Sequence, residues 1–242
     1  MNRTRFILIE TSHAGNVGAV ARAMRVMGFD DLVLVAPRWP NVLRREETIQ
    51  RASGALDVLK RARIVDTLDE AVDGLTHLCA TAMTPRDFGP PTHAPREHFG
   101  AIAATGHHVG FLFGSERFGM KNEDVYRCHA CLSIPTDPSF GSLNLAAAAQ
   151  VIAYEWRLAL GGFAVRDARP ATLPADAAMV AGLLAHWEQA LVEVGFLDPA
   201  APKKLVPRLQ QLFNRAALSE EEVHILRGVA RAMQRAANRS DG

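Results

Sequence analysis

The chain has 242 residues, of which 48% are hydrophobic and 22% charged, and its formal net charge is +1. That composition is typical of a globular protein with a buried core and excludes a disordered or strongly basic chain. The N-terminal apolar run is too short for a signal peptide, and no stretch approaches ~18 consecutive apolar residues. Because the three cysteines also favour a reducing compartment, we expect a cytoplasmic protein with no membrane span.

The first two thirds of the chain alternate short apolar runs with helical patterns. The runs predict six strands, at residues 6–9, 32–35, 64–65, 78–81, 109–113 and 130–134. Between and after them the pattern predicts helices at residues 16–27, within 39–59, and at 68–72, 121–126 and 142–160. Asn16 is a plausible N-cap for the first helix, and Gly28 is a good residue to follow its end. This alternation predicts an α/β fold whose mostly parallel six-stranded sheet is covered by helices on both faces.

The last third of the chain has a purely helical pattern. Gly161 and Gly162 end the preceding helix, and residues 164–176, with two prolines, are predicted to form a linker. Helices are predicted at residues 177–194, 203–216 and 219–238, the last of them starting at a capping box formed by Ser219 and Glu222. We therefore predict a domain at residues 1–163 and a helical extension at residues 177–242.

Three turns rich in glycine or proline each follow an apolar run, at residues 13–18, 114–119 and 134–144. In an α/β sheet such turns gather at the carboxyl ends of the strands, where ligands bind. None matches the familiar phosphate-binding loops. Ser142 and Asn144 could be helix caps, and His13 is expected to make a structural hydrogen bond. Glu116 could pair with Arg117 to shape its turn, or it could bind a cationic or hydroxylated ligand.

Two further patterns concern metal and phosphate. Cys128 and Cys131 have the spacing of a zinc pair, but the chain has no second pair, so no metal site is predicted. Four arginines recur every four residues on the last helix. They are Arg227, Arg231, Arg235 and Arg239. This stripe could be a solvated face, but its concentration of one charge favours contact with phosphates.

At these residues the sequence resembles the SPOUT superfamily of S-adenosyl-L-methionine (AdoMet)-dependent RNA methyltransferases, and within it the TrmJ-type tRNA (cytidine/uridine-2′-O)-methyltransferases. The resemblance covers nearly the whole chain. It is carried by Glu10-Thr11-Ser12-His13-x-Gly15-Asn16-x-Gly18-x-x-Ala21-Arg22-Ala23-Met24, by Phe113-Gly114-x-Glu116-Arg117-x-Gly119, by Ser142-Leu143-Asn144-Leu145-Ala146, and by Asn214-Arg215-Ala216 and Ile225-Leu226-Arg227-Gly228 in the extension.

The resemblance implies a trefoil knot at the carboxyl end of the sheet and a homodimer with its active sites at the subunit interface. It also implies that AdoMet is held by three loops and leaves as S-adenosyl-L-homocysteine. The residues implied in cofactor binding are Thr81, Ala82, Met83, Gly114, Glu116, Ile134, Gly141, Ser142, Leu143 and Asn144. Those implied in RNA binding are Arg86, Arg227, Arg231 and Arg235.

The reaction implied is methylation of the ribose 2′-hydroxyl of a pyrimidine at position 32 of the tRNA anticodon loop. Arg22, Ser142 and Asn16 are the implied catalytic residues. Because a guanidinium with a pKa above ~12 is a poor base, we expect Arg22 to position the nucleotide and stabilise the developing alkoxide. Phe140 stands where some relatives carry tyrosine, and Met83-Thr84 replaces an Ala-Arg pair, so base preference stays open. Methylation of ribosomal RNA and a non-catalytic RNA-binding role are the alternatives.

Overall fold

The computed structural model describes residues 3–82, 86–165 and 172–240. The chain divides into two compact units, Met1–Ala164 and Val165–Gly242. The first contains a parallel sheet and seven α-helices among its described residues, and the second contains three helices. No helix in the described part of the chain is long and apolar enough to cross a membrane.

The sheet has seven strands in the order β3-β2-β1-β6-β4-β7-β5, and every neighbouring pair is parallel. The strands are β1 (Thr4–Ile9), β2 (Asp31–Val35), β3 (Arg63–Val65), β4 (His77–Thr81), β5 (Thr92–His93), β6 (Val109–Phe113) and β7 (Ala130–Leu132). The predicted α/β class is confirmed, and the count of six strands is too small by one. The added strand, β5, has only two residues and lies between Pro91 and Pro95, so it shows no apolar run in the sequence.

Central strands β1 and β6 are buried along their whole length, as expected for a sheet covered on both faces. One face packs a core around Phe6, Phe111 and Trp156, and the other packs around Ile7 and Leu112. The indole nitrogen of Trp156 donates a hydrogen bond to Thr4 Oγ1 at 2.9 Å, so this large buried side chain leaves no unpaired donor.

The helices of the first unit are α1 (Ala14–Val26), α2 (Glu46–Ala52), α3 (Leu56–Arg61), α4 (Leu68–Val72), α5 (Pro95–Ile102), α6 (Asn122–Tyr126) and α7 (Leu145–Ala159). One predicted start is corrected: the N-cap of α1 is His13 rather than Asn16, which frees the Asn16 side chain for a tertiary contact. Of the two residues that could cap α7, Ser142 and Asn144, the cap is Asn144, whose Oδ1 accepts from the backbone N–H of Ala146.

The second unit contains α8 (Ala177–Glu193), α9 (Leu205–Ala216) and α10 (Glu220–Ser240). Leu183, Phe213 and Val223 lie in its buried core, which is separate from the core of the sheet. The predicted capping box is confirmed: the Glu222 carboxylate accepts from Ser219 N at 2.7 Å, and Ser219 Oγ accepts from Glu222 N at 3.3 Å.

Candidate active site

A cavity of about 390 Å³ opens at the carboxyl ends of β4, β6 and β7. It brings together most of the residues implied in cofactor binding. These are Thr81, Ala82, Gly114, Glu116, Ile134, Gly141, Ser142 and Leu143. Met83 lies outside the described residues, and Asn144 lies next to the lining rather than in it. Leu132, Leu145 and Ala148 add an apolar part to the lining.

The turn after β6 requires glycine at two positions. A Cβ on Gly114 would lie 2.2 Å from the carbonyl carbon of Gly119, so no larger residue fits there. Gly119 itself has a φ of 69°, in the left-handed region that favours glycine. Ser115 and Gly119 exchange two backbone hydrogen bonds of 2.9 Å each. The turn is therefore closed tightly against itself and presents Glu116 at a fixed place.

The Glu116 carboxylate is held by the loop that follows β1. It accepts hydrogen bonds from Thr11 Oγ1 at 2.9 Å, from Ser12 N and Oγ at 2.8 Å each, and from Asn16 Nδ2 at 2.8 Å. A longer bond of 3.4 Å comes from His13 N. Partial burial raises the pKa of Glu116, but the hydrogen bonds from Asn16 and Ser12 outweigh it and lower the pKa to about 2. Glu116 is therefore an anion that joins two loops.

Glu116 neither forms the predicted pair with Arg117 nor stands free for a ligand, because it joins two loops of the chain. Among the described residues its carboxylate is paired with the first loop rather than with Arg117. The Arg117 guanidinium instead lies 5.2 Å from the centroid of the Phe118 ring. Thr11 and Ser12, which supply three of the bonds to Glu116, were not singled out as site residues. Their signals were two adjacent hydroxyl side chains between a strand and a turn, and their place in the first of the motifs that carry the resemblance.

Asn16 and Asn144 extend this contact to the third loop. Asn144 Nδ2 donates to Asn16 Oδ1 at 3.1 Å, while Asn16 Nδ2 donates to Glu116. The backbone N–H of Ala146 needs an acceptor, so Asn144 must present its oxygen there and its nitrogen to Asn16. An ionised carboxylate can only accept, so Asn16 must present its nitrogen to it. One row of hydrogen bonds therefore fixes both amides and connects all three motifs.

The glycines of α1 serve helix packing. A Cβ on Gly18 would lie 2.0 Å from the Thr48 carbonyl oxygen and 2.9 Å from Ala52 N, both in α2. The missing side chain at Gly18 therefore makes room for the backbone of α2 and not for the Arg22 guanidinium. Thr48 Oγ1 also donates to the Ala14 carbonyl at 3.0 Å, which fixes the first turn of α1 against α2.

Arg22 does not reach the cavity of its own chain. Its side chain is exposed, it is not part of the lining, and no hydrogen bond or ion pair joins it to another described residue. On an ideal helix it lies about 9 Å along the axis from Asn16 and about 120° around it. Ser142 does line the cavity, and within the described chain its hydroxyl makes no hydrogen bond.

The arginines implied in RNA binding differ in exposure. Arg231 and Arg235 are exposed on α10. Arg227 is half-buried, and its Nη2 lies 2.5 Å from where a Cβ on Gly182 of α8 would stand. Arg86 is half-buried and is not part of the cavity lining. The predicted stripe therefore divides into one arginine packed against a neighbouring helix and others that face outward.

The three cysteines are free and buried. Burial raises the pKa of the Cys128 thiol to about 12, and that thiol lies 3.5 Å from the Asp124 carbonyl oxygen. Burial also raises the pKa of Cys131, so both cysteines of the C-x-x-C pair are protonated thiols.

Residues 3–154 match the SpoU rRNA Methylase family, and residues 178–242 match the tRNA methyltransferase TrmJ, C-terminal domain. The chain is 40% identical to tRNA (cytidine/uridine/adenosine-2'-O-)-methyltransferase TrmJ of Pseudomonas aeruginosa, over 98% of this chain and 96% of the relative. It is 39% identical to the tRNA (cytidine/uridine-2'-O-)-methyltransferase TrmJ of Klebsiella pneumoniae, with 97% of each covered.

The solved structure of TrmJ from Z. mobilis superimposes with a TM-score of 0.80 at 32% identity, covering 97% of this chain and 99% of the other. Both units thus have counterparts in the same relatives, and the three loops that form the cavity lie within the matched region. The chain belongs to the SpoU methylase family and, within it, to the TrmJ-type methyltransferases.

Proposed function

We propose that the protein transfers the methyl group of AdoMet to the ribose 2′-hydroxyl of the pyrimidine at position 32 in the tRNA anticodon loop. The observation that carries the proposal is the cavity at the carboxyl edge of the sheet. Two of the three motifs line it, and the first motif supports it through the hydrogen bonds that join Asn16 to Glu116 and Asn144. Full-length similarity to proteins named as tRNA 2'-O-methyltransferases supports the substrate class.

The cavity suits a methyl donor of the size of AdoMet. Its volume of about 390 Å³ lies in the range of small-molecule sites. Leu132, Ile134 and Leu145 offer an apolar surface for a flat base. AdoMet would supply an activated methyl group on a sulfonium, which leaves as a neutral thioether. The chain must then supply binding, alignment and charge stabilisation.

Residues of the third loop and of α1 divide these tasks. Ser142 has a free hydroxyl at the cavity and orients the substrate hydroxyl. Asn16 uses both ends of its amide within the row of hydrogen bonds, so it positions the loops rather than contacting substrate. Arg22 holds the nucleotide and stabilises the alkoxide that develops as the proton is lost.

The exposed position of Arg22 supports a homodimer. Since its guanidinium is remote from its own cavity, we propose that it serves the site of a second copy, with both active sites at the subunit interface. The trefoil knot and a cytoplasmic location stay predictions. Mixed dimers test the assignment: Arg22→Ala chains and Ser142→Ala chains, each nearly inactive alone, regain activity when combined. If mixing restores nothing, Arg22 acts within its own chain.

A Lys replacement tests what Arg22 does. Arg22→Lys keeps the charge but loses the planar fork that can hold two acceptors, so kcat should fall at least ~10-fold. Arg25→Lys is the matched control, because Arg25 lies on the same helix and only pairs with Asp57 at an exposed site. Near-wild-type turnover of Arg22→Lys would contradict the positioning role.

The helical unit is proposed to bind the tRNA backbone through Arg231 and Arg235, which are exposed. Each phosphate contact releases counterions, so replacing one of these arginines by alanine should reduce the slope of log K against log salt by about 1. Arg227→Ala should instead destabilise the unit, because that side chain packs against α8. Unchanged salt slopes for the two exposed arginines would rule out this surface.

The direct test is methyl transfer from labelled AdoMet to unmodified tRNA, with the product mapped at nucleotide resolution. Transcripts with C, U, A or G at position 32 should be compared, because a 40% identical relative has adenosine in its name. A transcript with 2′-deoxyribose at that position should stay unlabelled. Labelling of ribosomal RNA alone would overturn the substrate, and AdoMet binding without transfer to either RNA would leave an RNA-binding protein.

A further inference from the structure

Five histidines lie side by side in the first unit, away from the cavity. The ring centroid of His77 is 5.2 Å from that of His98, 5.3 Å from that of His107 and 4.9 Å from that of His129. His93 continues the row, 5.1 Å from His98. Neither the proposed methyl transfer nor RNA contact uses them. They are brought together by the start of β4, by β5, by the helix α5 and by the segments that precede β6 and β7.

Two of these histidines, His77 and His98, converge with Cys79 on one point. His77 Nε2 and His98 Nε2 are 3.0 Å apart. One ligand atom of each of His77, Cys79 and His98 lies within 4.8 Å of the other two. His77 and Cys79 are two residues apart in β4 and therefore point to the same face of the sheet, and α5 places His98 over that face. His77 is 9% exposed and Cys79 is fully buried, so water competes little for these atoms.

We propose that His77, Cys79 and His98 bind a first-row transition-metal cation of the Zn²⁺ class. Two imidazoles and a thiolate form a donor set of the kind that Zn²⁺ takes. Tetrahedral Zn²⁺ with nitrogen at ~2.0–2.1 Å and sulfur at ~2.3 Å separates its ligand atoms by about 3.3 to 3.6 Å. The 3.0 Å nitrogen pair is therefore close to the required spacing, and a movement of about 1 Å brings the sulfur into place.

Binding of the cation requires two proton movements. The Cys79 thiol gives its proton to solvent as the sulfur–metal bond forms. The proton now shared between the two Nε2 atoms moves to Nδ1 of its own ring, which leaves both Nε2 lone pairs for the cation. His129 does not become a fourth ligand through Nδ1, because that atom accepts from the Leu78 backbone N–H at 3.0 Å. A water molecule takes the fourth position.

Co²⁺ is the probe, since a tetrahedral thiolate complex of Co²⁺ has a sulfur-to-metal charge-transfer band and intense visible bands. Tag-free full-length protein, reduced and kept without oxygen, is titrated with Co²⁺ and then with Zn²⁺. We expect one equivalent of Co²⁺ to bind with a charge-transfer band, Zn²⁺ to displace it, and Zn²⁺ to raise the melting temperature of the first unit. Absence of the band in the wild-type protein overturns the proposal.

Three variants assign the ligands. His98→Gln changes a half-buried side chain on α5, so the fold should persist while Co²⁺ affinity falls at least tenfold. Cys79→Ala should abolish the charge-transfer band. His224→Gln is the control, because His224 is exposed on α10 in the other unit, and it should bind as the wild type does. Wild-type affinity in His98→Gln, or a charge-transfer band retained in Cys79→Ala, would refute this ligand set.

Discussion

Glu116→Gln tests whether an ionised carboxylate holds the loops of the site together. The replacement keeps the shape of the side chain but removes its charge and turns one acceptor into a donor. Every partner of that carboxylate is a donor: Thr11, Ser12, His13 and Asn16. Whichever oxygen it replaces, the new amide nitrogen faces an N–H of Ser12 or of Asn16, so at least one hydrogen bond is left unmade.

The size of the effect follows from the pKa of Glu116. Lowering it from 4.5 to about 2 corresponds to about 3 kcal/mol of preference for the charged form. Because the side chain is only partly buried, solvent screening reduces this to about 1–2 kcal/mol. Adding the mispaired amide, we expect Glu116→Gln to lower the free energy of unfolding by about 2 kcal/mol at neutral pH. For a unit of this size that is a fall of about 4–8 °C in melting temperature.

The pH dependence gives the sharper test. A carboxyl group with a lowered folded pKa contributes stability that is fully present above its unfolded pKa, near 4.5, and is lost as pH falls through about 2. The gap in unfolding free energy between wild type and Glu116→Gln should therefore be full at pH 7 and shrink by more than half near pH 3.

Calorimetry at both pH values, with Glu97→Gln as the control, makes this comparison. Glu97 is exposed at the start of α5 and should change stability by less than ~0.5 kcal/mol. The reasoning is refuted if Glu116→Gln is as stable as Glu97→Gln at pH 7, or if the gap between wild type and Glu116→Gln does not change with pH.

Three further predictions concern other contacts in the two units. Asn16→Asp places a second carboxylate at the 2.8 Å contact with Glu116 and removes a donor, so both the melting temperature and kcat/KM should fall, kcat/KM at least ~10-fold. Asn122→Asp, at the exposed start of α6, should leave both unchanged, and equal behaviour of the two variants would contradict the row of hydrogen bonds. Gly18→Ala should cost about 3 kcal/mol of unfolding free energy in urea, because its Cβ meets α2 backbone at 2.0 Å. Gly100→Ala, in a helix with no heavy atom within 4 Å of the added Cβ, should instead be neutral or stabilising by up to ~1 kcal/mol; a similar loss in both would show that the α1–α2 contact is not the cause. Ser219→Ala removes the cap of α10 and should lower the free energy of unfolding of the helical unit by about 1 kcal/mol. In calorimetry the transition of that unit should move to a lower temperature while that of the sheet unit stays in place; a shift in both transitions would contradict the prediction.

Apolar periodicity predicted the strands and helices well where burial alone determines them. Strands β1, β2, β4 and β6 are buried apolar runs, and the pattern placed each of them within one or two residues. Strand β5 has two residues among prolines, so it carries no periodicity, and only its pairing with β7 defines it. The amphipathic pattern over residues 39–59 likewise did not show that Ser53, with a φ of 51°, separates two helices.

The site was predictable in part for a physical reason. That three turns meet at one edge follows from parallel strands, and the hydrogen bonds that join Asn16 to Glu116 and to Asn144 confirm that they do. Which atoms pair across those turns does not follow, because hydrogen bonds between Glu116 and Asn16 span 100 residues of sequence. Asn is a common N-cap residue, so the sequence favoured Asn16 for that position. The helix instead begins after His13, and the Asn16 side chain bonds to Glu116, a partner that the sequence alone does not show.

The positions of Glu116 and Arg22 predict different defects when each residue is replaced. Glu116, Asn16 and Asn144 set the relative position of three loops, so their replacement should weaken AdoMet binding and lower the stability together. The exposed Arg22 side chain makes no hydrogen bond or ion pair with another described residue, so its replacement should leave stability and AdoMet binding intact and lower turnover alone. If an Arg22 variant had a lower melting temperature than the wild type, the guanidinium would stabilise the fold of its own chain. That result would contradict a role at the cavity of a second copy.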